Sequence, residues 1–249
     1  MNRATQIAAI IFERQAGIQM TRENNKHRQI AKAGPGSSVS ESYKKLRTNI
    51  RFSSMGQAVK LILVASAVSG EGRTTTAINL AISYAQENKN VLLLDADLRR
   101  PSVGQAFFRT TRTGLSDILI RRGKPEDAIQ QTDIAGLYVL PAGTVPPNPS
   151  ELLGSDAMRS LLEELKTQFD VIVVDSPPAS SFADAQIVGA MSDGVVLVAR
   201  SGKVTKEAVR RTRLGLEHVG AHILGAVLNN TNRSRIESSY ANYYGYGGD

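Results

Sequence analysis

Leu61-Ile62-Leu63-Val64-Ala65 runs without a break into Ser66-Ala67-Val68-Ser69-Gly70-Glu71-Gly72-Arg73-Thr74-Thr75, and a helical pattern follows through residue 86. Five consecutive apolar residues bounded by small polar ones read as a strand buried on both faces. A glycine-rich turn between such a strand and a helix points successive backbone N–H groups at one spot, with the helix N-terminus behind them. That arrangement cradles phosphate. Measured against G-x-x-x-x-G-K-[ST], Ala67 replaces the first glycine, Gly72 is in place, Arg73 replaces the lysine and Thr74 supplies a hydroxyl for Mg²⁺. Taken alone, an ordinary glycine-rich turn explains the stretch equally well.

Two further strand ends shift the balance. Val91-Leu92-Leu93-Leu94 is followed by Asp95-Ala96-Asp97-Leu98-Arg99, and Val171-Ile172-Val173-Val174 by Asp175-Ser176-Pro177-Pro178. One aspartate after a strand is usually a cap or turn former. Three of them after two apolar strands, beside a glycine-rich loop after a third, fit a nucleotide site. There the carboxylates hold Mg²⁺ directly or through water, and one can take the proton of an attacking hydroxyl. Arg73 keeps the charge of the expected lysine and changes its geometry, from a compact point charge to a planar fork.

Moving outward, apolar runs recur at Leu137–Leu140, Val195–Ala199 and Ile223–Leu228, separated by helical patterns at Asp156–Gln168, Ala183–Met191 and Lys206–His218. Buried runs alternating with amphipathic helices require crossover connections, hence an α/β fold with a doubly wound, mainly parallel sheet flanked by helices. Ligands then bind beyond the carboxyl ends of the strands. Apolar residues make up 41% of the 249, aromatics 5%, and tryptophan is absent. The interior therefore rests on Val, Ile, Leu and Ala.

Cysteine is also absent, which excludes disulfides, thiolate metal sites and cysteine nucleophiles, and fits a reducing compartment. No run reaches the roughly 18 apolar residues of a membrane span, and Ile7–Phe12 is too short and poorly flanked for a signal peptide. A soluble protein is expected. The net charge of +7 is spread over Arg99–Arg100, Arg109–Arg112, Arg121–Lys124 and Lys203–Arg213 without interleaved aromatics. Solvated helix faces explain these clusters, and no nucleic-acid partner is expected.

Three regions are expected: a flexible leader and linker over 1–38, a P-loop domain over 39–236 and a flexible tail over 237–249. The leader ends in Ala33-Gly34-Pro35-Gly36-Ser37-Ser38, and the domain opens on a helix with Tyr43, Leu46 and Ile50 at helical spacing. The tail holds Tyr240, Tyr243, Tyr244 and Tyr246, four of the seven tyrosines in the chain, among Gly and Asn.

These motifs together resemble the bacterial tyrosine autokinases of capsular and extracellular polysaccharide synthesis. Those are P-loop NTPases related to the septum-placing and partitioning ATPases, and the resemblance spans about residues 38–249. It implies ATP and Mg²⁺ as cofactors. Ser69, Gly70, Glu71, Gly72, Arg73, Thr74 and Thr75 correspond to the family's phosphate loop, with Ser69 for its proline. Asp95 corresponds to a Mg²⁺ ligand, Asp97 to a Mg²⁺ ligand or catalytic base, and Asp175 to a Mg²⁺ group acting through water. Thr74 joins that metal set, and Asn229 or Asn230 would contact adenine. Pro146–Leu153 resembles a further family segment and is given no chemistry. Glu41-x-x-Lys44-x-x-Arg47 resembles an oligomerisation motif, with Lys44 for its first arginine, and the tail tyrosines resemble an autophosphorylation cluster. The family implies a ring-like homo-oligomer, a separate transmembrane activator of the polysaccharide co-polymerase type, an opposing tyrosine phosphatase, and a cytoplasmic protein recruited to the inner face of the membrane.

Three functions stay open on the sequence. The first is an ATP-dependent tyrosine autokinase, favoured by Asp95, Asp97, Asp175 and the tyrosine tail. The second is a catalytically weakened nucleotide-binding regulator or scaffold, favoured by Arg73. The third is a positioning ATPase, which ordinarily carries an extra lysine where Ala67, Val68 and Ser69 stand here.

Overall fold

The computed structural model describes residues 9–13, 37–53, 58–107 and 113–231. Within these, the strands are β1 (Ala9–Glu13), β2 (Leu61–Ser66), β3 (Val91–Asp95), β4 (Gln130–Gln131), β5 (Leu137–Leu140), β6 (Val171–Asp175), β7 (Gly194–Arg200) and β8 (Ile223–Thr231). The helices are α1 (Ser38–Ser53), α2 (Arg73–Ala85), α3 (Val103–Ala106), α4 (Leu115–Leu119), α5 (Pro125–Ala128), α6 (Pro149–Leu153), α7 (Asp156–Gln168), α8 (Asp184–Met191) and α9 (Lys206–His218).

The strands form one sheet in the order β1-β8-β7-β2-β6-β3-β5-β4, parallel except for the β4–β5 pair at one edge. Strand β2 lies between β6 and β7, so the loop that leaves it emerges beside the ends of both. In the β3–β6 pair Asp95 stands directly opposite Asp175. The doubly wound, mainly parallel α/β sheet expected from the apolar runs is the fold observed.

Alternation along each strand divides the interior into two layers. Ile62, Val64, Leu93 and Val173 face Tyr43, Leu46 and Ile50 of α1 and the small-residue face of α2. Leu61, Leu63, Leu92, Leu94 and Ile172 face Met158, Leu161 and Leu165 of α7, Val188 of α8 and Leu216 of α9. Each fully buried Leu or Ile contributes about 1.5–3 kcal/mol of transfer free energy. The layers fix the carboxyl ends of β2, β3 and β6 as one rigid rim.

Within the segment 1–38 expected to be flexible, the structure describes residues 9–13, 37 and 38. Ala9–Glu13 forms an edge strand parallel to β8, with Ala9, Ile10 and Ile11 in register with Ala226, Val227 and Leu228. β-branched residues and the otherwise open edge of β8 favour that pairing. Helix α1 begins at Ser38, within the last residue of the Gly/Pro/Ser run. Among the described residues no helix is long and apolar enough to cross a membrane.

Candidate active site

Helix α2 opens on Gly72, whose φ of 94° places it in the left-handed region and which provides no side-chain cap. The first intrahelical bond at this end is Thr76 N–H to Gly72 O at 2.8 Å. The amides of Arg73 and Thr74 lie ahead of it in the first turn, where an α-helix offers no main-chain acceptor one turn back. An uncapped helix start facing a cleft is a site for an anion. Gly70 and Gly72, with φ of 77° and 94°, hold a left-handed backbone that side chains rarely adopt, and a β-carbon at Gly72 would also fall 1.9 Å from Asn229 Nδ2.

Ser69, Gly70, Gly72, Arg73, Thr74 and Thr75 line one wall of a cleft of about 500 Å³. Asp97, Arg99, Arg100, Ser102, Pro177, Pro178, Ser181 and Phe182 complete its lining. Glu71, expected with the ligand-binding loop, turns inward and is 1% exposed. Its carboxylate accepts from Val68 N at 2.7 Å and Arg200 N at 3.2 Å, clamping the loop to the end of β7. Asn229, expected against adenine, donates from its side-chain amide to Glu71 O at 2.8 Å and accepts from Asn230 N. Both residues brace the loop from behind.

Arg73 takes the most informative position. Its Nε donates to Asp175 Oδ1 at 2.9 Å, one terminal nitrogen to Asp97 Oδ2 at 2.9 Å, and the other to Ser66 Oγ at 3.3 Å. The guanidinium fork thus bridges two carboxylates that a metal would otherwise draw together. Thr74 donates to the second oxygen of Asp175 at 2.6 Å. Asp95 is fully buried and accepts from the main-chain amides of Asp97, Ser102 and Val103. It shapes the turn after β3, whereas Asp97 alone of the three aspartates lines the cleft.

Burial pushes the Asp95 carboxyl up, and the neighbouring charge of Asp175 adds to the shift. Asp97 and Asp175 are also raised by burial, with Arg73 opposing in each case. One guanidinium leaves three crowded carboxylates short of positive charge. Thr74, Asp97 and Asp175 present the hard oxygen ligands that Mg²⁺ prefers. Among the described residues no group of three acidic or imidazole side chains forms a closed metal cage. The donor set therefore fits a Mg²⁺ that keeps several waters and arrives with phosphate oxygens.

Some members of the site were not legible as such. Arg99 forks onto Asp184 at 2.8 and 3.1 Å, reaches Ser150 Oγ at 2.9 Å, and lies 3.9 Å from the centroid of the Phe182 ring. Ser150 belongs to the proline-rich segment that had been given no chemistry, and its hydroxyl donates to the same fully buried Asp184. The run Asp95–Arg99 sets Arg99 just past the end of β3, and its partners lie far away in the sequence. Of the residues expected to serve oligomerisation, Glu41 and Lys44 pair with each other at 2.7 Å on the exposed face of α1. Arg47 instead turns onto α2, where it meets the carbonyl and hydroxyl of Ser83 and pairs with Glu87 at 2.7 Å. Tyr240, Tyr243, Tyr244 and Tyr246 lie outside the described residues.

A family model described as an AAA domain matches residues 59–219. Tyrosine-protein kinase YwqD of Bacillus subtilis is 43% identical over 216 residues, spanning 87% of this chain and 90% of the relative. Among solved structures, the kinase domain of Escherichia coli tyrosine kinase ETK superposes with a TM-score of 0.84 at 33% identity, covering 91% of each chain. The cell division ATPase MinD of Pyrococcus furiosus follows at 0.60 and 26% identity, over 72% of this chain and 78% of that one. With the phosphate loop, the paired strand-end aspartates and these likenesses all on one sheet rim, the chain belongs to the bacterial tyrosine-protein kinases, a family built on the P-loop ATPase fold.

Proposed function

We propose that this chain is an ATP-dependent tyrosine autokinase regulating capsular or extracellular polysaccharide synthesis. Its γ-phosphate acceptors are Tyr240, Tyr243, Tyr244 and Tyr246 of a neighbouring subunit. One observation carries the reading: Thr74 bonds Asp175 directly and Arg73 links Asp175 to Asp97, which makes one buried network beside a helix N-terminus with no side-chain cap. In this reading the loop amides from Ser69 to Thr75 bind phosphate oxygens. Thr74, Asp97 and Asp175 hold Mg²⁺, and Asp95 keeps the turn behind them in place. The ion supplies charge neutralisation at the β and γ phosphates.

The acceptor hydroxyl oxygen forms a bond to the γ phosphorus, the bond to the bridging oxygen breaks, and ADP leaves with that electron pair. Asp97, the aspartate that lines the cleft, is placed to take the hydroxyl proton. Positioning and electrostatic stabilisation carry most of such a reaction. Glu41 and Lys44, on the outer face of α1, would contribute to a ring that delivers each tail to the next subunit, with Arg47 supporting that helix from behind. A separate transmembrane activator would recruit the cytoplasmic kinase to the membrane, and a tyrosine phosphatase would oppose it.

A second reading, a weakened nucleotide-binding scaffold, is favoured by the engagement of Arg73 with Asp97, Asp175 and Ser66. Incubation with Mg²⁺ and ATP, followed by mass spectrometry of the 236–249 peptide beside a phosphate-release assay, separates the readings. Phosphotyrosine supports the kinase. Bound ATP with neither product supports the scaffold, and phosphate release without phosphotyrosine supports a positioning ATPase.

A further inference from the structure

A phosphate loop ordinarily carries a mobile lysine ammonium, and in this chain the residue at that position is committed elsewhere. Three donor groups of Arg73 face Asp175, Asp97 and Ser66. The side chain is also only 10% exposed, and its charge is directed at the carboxylates. Besides Arg99 and Arg100 of the cleft lining, a mobile cation beside the loop would supply the point charge that a lysine ordinarily brings there.

Lys203 stands where that cation is needed. It lies in the turn after β7, and its Nζ sits so close to Gly70 that a β-carbon there would fall 2.4 Å away. Gly70 is itself part of the cleft wall. The turn is fixed against the loop at several points: Arg200 N–H donates to Glu71 at 3.2 Å, an Arg200 guanidinium nitrogen donates to Gly70 O at 3.3 Å, and Lys203 N–H donates to Arg200 O at 3.2 Å. The Lys203 side chain is exposed and forms no ion pair with an acidic group among the described residues. An ammonium on a flexible four-carbon stem can swing toward a polyphosphate, as a guanidinium locked between two aspartates cannot.

We infer that Lys203 is a phosphate-binding residue of this site, supplying from the β7–α9 turn the point charge that Arg73 does not direct at the nucleotide. The inference rests on the reading of loop 66–75 as the ATP site. A charge-assisted bond of this kind corresponds to about a tenfold change in affinity.

The test is a competition binding assay on the full chain with ATP, ADP and AMP, comparing wild type with Lys203→Gln, Lys203→Arg and Lys206→Gln. Lys206 is exposed in the first turn of α9 and removes the same charge away from Gly70. The expected result is about tenfold weaker ATP binding in Lys203→Gln, a smaller loss for AMP, recovery in Lys203→Arg and wild-type affinity in Lys206→Gln. Thermal melting without nucleotide checks that all variants fold alike. Wild-type ATP affinity in Lys203→Gln, or equal losses for ATP and AMP, would overturn the inference and leave the ATP site standing. A wild-type chain that binds no ATP would remove the ATP-site reading and this inference together.

Discussion

Arg73→Lys is the substitution that most sharply separates what Arg73 does for the nucleotide-free protein from what it does in phosphoryl transfer. Arg73 donates to Asp175 and Asp97, each at 2.9 Å, from a side chain 10% exposed. A lysine ammonium is a single point and cannot reproduce a fork that spans both carboxylates, so one charged bond is lost. A hydrogen bond to a charged group contributes about 1.5–3 kcal/mol. The nucleotide-free variant should therefore melt lower, by about 3–12 °C at the 2–4 °C per kcal/mol typical of a chain this size. The same bond has to yield before Mg²⁺ can take both carboxylates. Removing it should strengthen Mg²⁺-ATP binding by about tenfold or more and raise the transfer rate. Differential scanning fluorimetry without ligand, titration with Mg²⁺-ATP and a time course of phosphotyrosine formation measure the three effects. A variant that melts lower yet transfers phosphate no faster than wild type would refute the idea that Arg73 restrains catalysis.

Gly72→Ala places a β-carbon 1.9 Å from Asn229 Nδ2 at a φ of 94°. It should cost about 1–3 kcal/mol in urea unfolding and abolish measurable ATP binding, because the loop and its brace must both move. Asp184→Asn leaves Arg99 without its bidentate carboxylate. Since Arg99 is 27% exposed at its side chain, the loss should be about 1–3 kcal/mol, below the cost of breaking a fully buried pair. ATP affinity measured beside transfer rate should show the rate falling more, because the bonds of Arg99 run to Asp184 and Ser150 and not to the phosphate loop.

Six strands were legible because each is an apolar run, and the small or acidic residues that end β2, β3 and β6 mark the rim where ligands bind; β4, Gln130–Gln131, carries no such signal. Leu61–Ala65, Val91–Leu94 and Val171–Val174 each extend by one residue in the structure, to Ser66, Asp95 and Asp175. Side-chain direction was not legible. Glu71 reads only as a member of the phosphate loop, and its burial depends on amides of Val68 and Arg200 that only the fold brings together. Arg47 fits a solvated helix stripe until α2 covers one side of it. Arg73 was recognised as a departure in charge geometry, but its pairing with Asp97 and Asp175 needs three separate strand ends in register. Ser150 offered no local signal, since its partners Arg99 and Asp184 lie on other elements.

Transfer between subunits is the central claim, and a mixed-chain experiment tests it most directly. One chain keeps its site but carries Phe at Tyr240, Tyr243, Tyr244 and Tyr246. The other keeps the tail but carries Asp97→Asn. With γ-labelled ATP and Mg²⁺, label on the tail tyrosines of the Asp97→Asn chain only when the two are mixed is the expected result. An unlabelled Asp97→Asn tail in the mixture, under conditions where the wild-type chain labels its own tail, would contradict transfer between subunits.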